Sequence, residues 1–257
     1  MGCTYPSLIA DFSRIDGRRQ VTVDTIGRRL KAAGLITSAG LYAAPATMRF
    51  ADAANLLIGA NASHAAVDAP EAVTRFRALQ SWRTSRPGSE AKLPGEITEA
   101  ATFGEALEAM IATAPVIEES FLDFTRQAFP QHLPSFQARM AFSPLAVVAL
   151  EVDFVRGAQE AAFIRVVSRL AEKWEVALEI AFHPSDGDAR CGDGGDRVVT
   201  SRVGLESVRI LHAAITGRPL PGPAAGPAPL GEGASGDAPG GAGRRARQGD
   251  AERVLDA

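Results

Sequence analysis

Five side chains that can hydrogen-bond to base edges or phosphates fall within ten residues: Thr22, Thr25, Arg28, Arg29 and Lys31. Arginine offers a planar fork of donors suited to guanine, a threonine hydroxyl donates or accepts, and lysine presents a compact charge to phosphate. Their spacing gives that chemistry a direction. Val23, Ile26, Leu30 and Ala33 recur at i, i+3, i+7 and i+10, which is one face of a helix. Thr25, Arg28 and Ala32 lie opposite, with Arg29 and Lys31 on the flanks. Thr22 is the expected N-cap, and Gly34 the residue that ends the helix. A short helix with a buried seam and a small, basic outer face fits a DNA major groove. The plain alternative is a surface helix whose arginines are merely solvated.

The neighbouring segments supply what would hold such a helix. Leu8, Phe12 and Ile15 predict a first helix closed by Asp16-Gly17. Arg18 and Arg19 then occupy a turn, where they are expected to contact phosphates. Thr37 to Pro45 is rich in small residues, with turn formers at Gly40 and Pro45 and an aromatic contact candidate at Tyr42. Met48 to Ile58 resumes a helical pattern behind Arg49, and Ala69 to Leu79 suggests a closing helix. Helix, turn, helix, flexible ribbon, helix is the order of a winged helix-turn-helix, whose second helix meets base edges while its neighbours touch phosphates. The expected DNA-contacting set is Arg18, Arg19, Thr22, Thr25, Arg28, Arg29, Lys31, Tyr42 and Arg49.

Val21-Thr-Val-Asp-Thr-Ile26, Leu30 and Ala33-Gly-Leu-Ile36 resemble the recognition helix and following turn of MerR-type winged-helix regulators. Residues 5 to 60 are also similar to the N-terminal domain of phage-like DNA-binding proteins of alphaproteobacteria. There Met48, Asp52, Ala53, Ala54, Leu56, Leu57 and Ile58 match a recurring motif. The resemblance covers under a quarter of the chain. It implies a winged helix-turn-helix fold and DNA as partner. MerR-type effector chemistry is not implied, because neither a long dimerising helix nor a ligating cysteine pair follows.

Charge divides along the chain in the same way. The total is −3, yet residues 1–92 hold 12 Lys+Arg against 7 Asp+Glu, while residues 93–217 hold 10 against 18. Such asymmetry suggests a nucleic-acid-facing module joined to a different one. A net +5 supports salt-sensitive contact with phosphates. Cys3 and Cys191 are too few for a disulfide framework, and no long apolar run implies a membrane span, so a cytoplasmic setting is expected.

Four segments follow: a DNA-binding domain over 1–80, a linker over 81–97 marked by Pro87-Gly88 and Pro94-Gly95, a second domain over 98–217, and a disordered Gly/Pro/Ala-rich tail over 218–257. The second domain opens with a capping box, Thr102 and Glu105. Leu145 to Val155 alternates as a half-buried strand, and further strands are predicted at Ala162–Val167, Trp174–Phe182 and Arg197–Val203. Residues 160–173 have a composition that also suits a helix. Leu205 to Ile215 is a final helix. The predicted class is α+β, with an all-α N-terminal domain and a C-terminal antiparallel sheet carrying helices on one face.

Other chemistry is sparse. His64, His132, His183 and His212 show no metal-binding spacing, and Asp186 to Asp196 lacks the ligand order of a calcium loop. Trp82 with Arg83 and Arg86 could form a stacking and phosphate patch, or the indole could dock onto its own domain. No nucleophile, P-loop or dinucleotide fingerprint is present. The sequence therefore predicts a non-enzymatic, cofactor-free protein that binds double-stranded DNA, as a homodimer and without membrane contact. The first expectation is a transcriptional regulator of phage or mobile-element type. The alternatives are a packaging adaptor and a protein–protein interaction module.

Overall fold

The structure is a computed structural model that describes residues 2–39, 44–85, 93–128, 148–157, 160–170, 173–185 and 199–218. Four helices come first: α1 (Tyr5–Asp16), α2 (Gln20–Ala32), α3 (Phe50–Ala62) and α4 (Ala69–Arg77). Strand β1 (Gln80–Ser85) precedes a short α5 (Gly95–Thr98) and the longer α6 (Phe103–Ala112) and α7 (Ala114–Ala128). Then come β2 (Val148–Arg156), β3 (Ala161–Leu170), β4 (Lys173–His183) and β5 (Val199–Gly204), and finally α8 (Leu205–Thr216). The class is α+β.

The five strands form one sheet in the order β1-β4-β3-β2-β5, and every neighbouring pair is antiparallel. Alternation along each strand divides its side chains between two faces. Leu150, Val152, Phe154, Ile164, Val166, Leu178, Ile180 and Phe182 are buried on the helix-covered face. Phe103 of α6 packs on both Phe154 and Phe182, with ring centroids 5.5 and 5.4 Å apart. The opposite face carries charge. Asp153 accepts from Arg202 at 2.7 and 3.1 Å and from Arg165, which also reaches Glu179, while Arg202 extends to Glu151. These bonds explain how a carboxylate can be 98% removed from solvent.

The capping box at Thr102 and Glu105 forms as expected, each side chain accepting from the other's backbone N–H. Within the stretch 160–173, ambiguous in sequence, residues 161–170 are strand: β3 lies between β2 and β4 and pairs with both. Tertiary pairing overrides a helix-compatible composition here.

The expected linker needs correction. Residues 81–85 belong to β1, which pairs with β4, while Gly95–Thr98 is helical and both Leu93 and Ile97 are buried. Nor does a break in packing separate the two expected domains. Buried residues from α1 to α8 form one hydrophobic cluster, in which α1 lies against α8 and α3 against α6 and β2. Polar ties cross the same boundary. Arg77 of α4 donates to Asn55 of α3 at 2.8 Å and pairs with Glu108 of α6, and Arg75 of α4 forms a two-bond pair with Glu160 beside β3. No β-ribbon occurs between α2 and α3 among the described residues, where a wing was expected. The residues expected as a disordered tail lie outside the described set from 219 onward.

Candidate nucleic-acid interface

Helix α2 is held by a narrow seam. Val23, Ile26, Gly27 and Leu30 are buried, and the helix packs against α1, α3 and α4. Gly27 permits the close approach of α1: a Cβ there would fall 2.5 Å from the Tyr5 hydroxyl and 2.8 Å from Ile9 Cδ1. The start of the helix differs from expectation. The N-cap is Arg19, so Thr22 is the third helical residue, exposed on the surface. The end is as expected. Gly34 takes a φ of 72°, its N–H donates to the Lys31 carbonyl, and the Leu35 N–H donates to the Leu30 carbonyl at 2.9 Å. That pair of bonds is a Schellman motif, which needs the left-handed residue that glycine supplies without strain.

The polar groups fall into two tiers. On the outward face, Thr25 and Arg28 are exposed, with Thr22 and Arg29 beside them. The Thr25 hydroxyl donates to the Val21 carbonyl at 2.7 Å, so its proton is spent inside the helix and only its lone pairs remain for a ligand. Arg28 is 76% exposed and pairs with Asp24 at 2.7 Å, one turn earlier. Asp24 also accepts from the Tyr5 hydroxyl at 3.1 Å, so α1 holds the carboxylate that orients Arg28. Burial, and after it this bond to Asp24, push the Tyr5 phenol far above its usual value. Lys31 is less available: its ammonium rests 5.2 Å from the Tyr5 ring centre. An exposed i,i+4 pair contributes only about 0.3–0.5 kcal/mol, so Arg28 can exchange Asp24 for a ligand at little cost.

The second tier lies at the N-terminal end of α2. Three residues, Gly17-Arg18-Arg19, join α1 to α2, and the first turn of α2 carries no acidic residue. Positive helix-end dipole and two guanidiniums therefore coincide. Arg18 is partly engaged by Asp16 at 2.9 Å, whose carboxyl burial pushes above its ordinary range despite that partner. Arg156, at the end of β2, donates to the Ser63 carbonyl at 2.7 Å. Burial lowers its pKa, and the charge of Arg18 adds to the effect.

Not every expected residue joins this surface. Arg49 is exposed at the N-cap of α3, and no hydrogen bond or ion pair joins its side chain to α2 among the described residues. Its backbone N–H instead donates to Asp52, a buried carboxylate that also accepts from the Thr37 N–H and hydroxyl. Asp52 thereby pins the chain leaving α2. Tyr42 lies outside the described residues, as do His132, Arg86 and the Asp186–Asp196 stretch with Cys191. Trp82 is 72% exposed on β1 with its ring edge against His183, so it is not docked into the core. Sequence reasoning missed Tyr5 and Asp24, whose link spans two helices. It also missed Val21, exposed one turn before Thr25; counting back four residues would have found it.

No group of His, Cys, Asp and Glu that could hold a metal occurs among the described residues, and none of their helices is long and apolar enough to cross a membrane. No protein-family model, curated protein or solved structure matches this chain.

Proposed function

We propose that this protein binds double-stranded DNA, with α1 and α2 acting as a helix-turn-helix and α2 entering the major groove as the reading helix of a transcriptional regulator. The observation that carries this reading is the outward face of α2. Thr25 and Arg28 stand open to solvent, directly opposite the seam of Val23, Ile26 and Leu30. A three-residue turn containing a glycine joins the two helices, as such motifs require. Arg28 addresses base edges, while Arg18, Arg19, Thr22 and Arg29 contact phosphates and set the register. A homodimer would place two copies of α2 in half-sites about 34 Å apart, one helical turn of DNA.

The test is a titration of selected and random duplexes at several salt concentrations. A regulator prefers its selected site by a factor on the order of 10³ or more at physiological salt. Arg28→Ala combined with Thr25→Ala then erodes that preference, at about 1–3 kcal/mol per lost base contact. Equal affinity for all duplexes would point instead to a sequence-blind packaging adaptor. Absence of any salt-dependent affinity would leave the face of α2 to a protein partner and end the proposal.

A further inference from the structure

We infer that α2 selects for thymine, with the Val21 side chain receiving the C5 methyl of a thymine set apart, by about two turns of the protein helix, from the base addressed by Arg28. The inference rests on the DNA reading above and adds a residue and a base to it. Val21 is 67% exposed, on a helix whose other apolar residues are nearly all buried. An exposed valine at this position does nothing for the core.

Its place on the helix is specific. Val21, Thr25, Arg28 and Ala32 follow one another at i, i+4, i+7 and i+11, the centre line of the side facing away from the seam. Val21 therefore heads the very stripe that would enter the groove. Behind it lies a groove of about 570 Å³ between α1 and α2, where Pro6, Ile9 and the Tyr5 ring continue the apolar surface and Gln20, Asp24 and Arg28 stand at its polar margin.

The occupant follows from base chemistry. In the major groove only thymine presents a methyl group, and an aliphatic side chain distinguishes it by contact. The first turn of α2 has no acid and follows directly on Arg18 and Arg19, and the carboxylate among the groove's lining residues, Asp24, is paired with Arg28. Thr25, whose hydroxyl proton already binds the Val21 carbonyl, can only accept from a base, so it pairs with adenine N6 or cytosine N4 and leaves thymine to be read by its methyl. The footprint expected is a thymine and, about two turns of protein helix or roughly 10 Å further on, a guanine held by the Arg28 fork.

The experiment removes the methyl from each side in turn. From the preferred duplex, each thymine is replaced singly by deoxyuridine, which lacks only the C5 methyl, and the full-length protein is titrated against every variant. One replacement should weaken binding about three- to fivefold, the worth of one buried methyl. Val21→Ala should bind the parent duplex with a similar loss and no longer distinguish thymine from deoxyuridine at that position. Val21→Thr keeps the shape and half of the methyl surface and should fall between the two. Because Val21 is exposed and Ala is the better helix former, neither variant should melt appreciably below wild type, so a loss of affinity is not a loss of folding. If no replacement matters, or if Val21→Ala still discriminates fully, the inference is overturned while Arg28 and Thr25 can still read the site. If no duplex is preferred at all, the reading of α2 falls and this inference with it.

Discussion

Arg28 on α2 and Arg202 on β5 are both more than half exposed, at 76% and 55%, yet they are committed very differently. Arg28 has one carboxylate partner, on its own helix. Arg202 bridges Glu151 and Asp153 of the neighbouring strand, and Asp153 in turn engages Arg165, which engages Glu179. The Arg165 guanidinium also lies 4.5 Å from the Phe163 ring centre. Exposure alone is thus a poor guide to what a cation can bind. On the sheet, positive charge is consumed by cross-strand pairs that link four strands, β5, β2, β3 and β4. On α2 and the turn before it, the charge is held loosely enough to be transferred to an anion.

That contrast can be broken most forcefully at Asp153. Asp153→Ala leaves two guanidiniums without their buried partner and should cost about 3 kcal/mol in chemical denaturation, while folded protein keeps its DNA affinity. Arg18→Ala with Arg19→Ala should do the reverse. Stability should fall by only about 1 kcal/mol, from the lost Arg18 bond to Asp16, while affinity for every duplex should fall about tenfold and the slope of log affinity against log salt should flatten by up to about two. Replacing Arg165 and Arg202 should leave that slope alone; a flattened slope would show that the sheet face meets DNA as well.

Smaller effects sharpen how α1 orients α2. Gly27→Ala improves helix propensity but pushes on Tyr5 and Ile9, and a net loss of about 1 kcal/mol should appear in thermal melts. Tyr5→Phe removes one hydrogen bond to Asp24, worth about 0.5–1 kcal/mol at neutral pH. Its signature is in alkali. The phenol's pKa is raised in the folded state, so its contribution is intact below about pH 10, where the unfolded phenol begins to ionise, and is lost as pH rises further. Wild type should therefore lose stability above about pH 10 more steeply than Tyr5→Phe, in melts recorded across that range.

Local signals in the chain proved the most legible. The seam of α2, its stop at Gly34 and the capping box of α6 each depend on residues within one or two turns, so periodicity and cap chemistry suffice to read them. β1 was hidden for a physical reason. Gln80-Ser-Trp-Arg-Thr-Ser85 is an edge strand with little apolar alternation, and its register comes from β4 rather than from its own pattern. α7 was obscured by Pro115, which reads as a stop but lies in the first turn of the new helix, where proline's missing N–H costs nothing. The candidate interface divides likewise. Thr25 and Arg28 follow from helical spacing, whereas the Tyr5–Asp24 bond needs two helices already packed. The N-cap at Arg19 defied the preference for Thr22 because the interhelical turn is only three residues long.

The packing of α1 on α8, together with the pairing of β1 to a strand about a hundred residues later, has a consequence for how the chain is made. During synthesis, Cys3 and the side of α1 that carries Ser7 and Asp11 leave the ribosome long before the α8 segment that packs near them exists. Such late closure raises contact order and leaves apolar surface open in the growing chain. The packing around α1 is therefore completed only when nearly the whole polypeptide has emerged. A nascent chain stopped short of Leu205 should be a client for chaperones and a poor ligand for DNA.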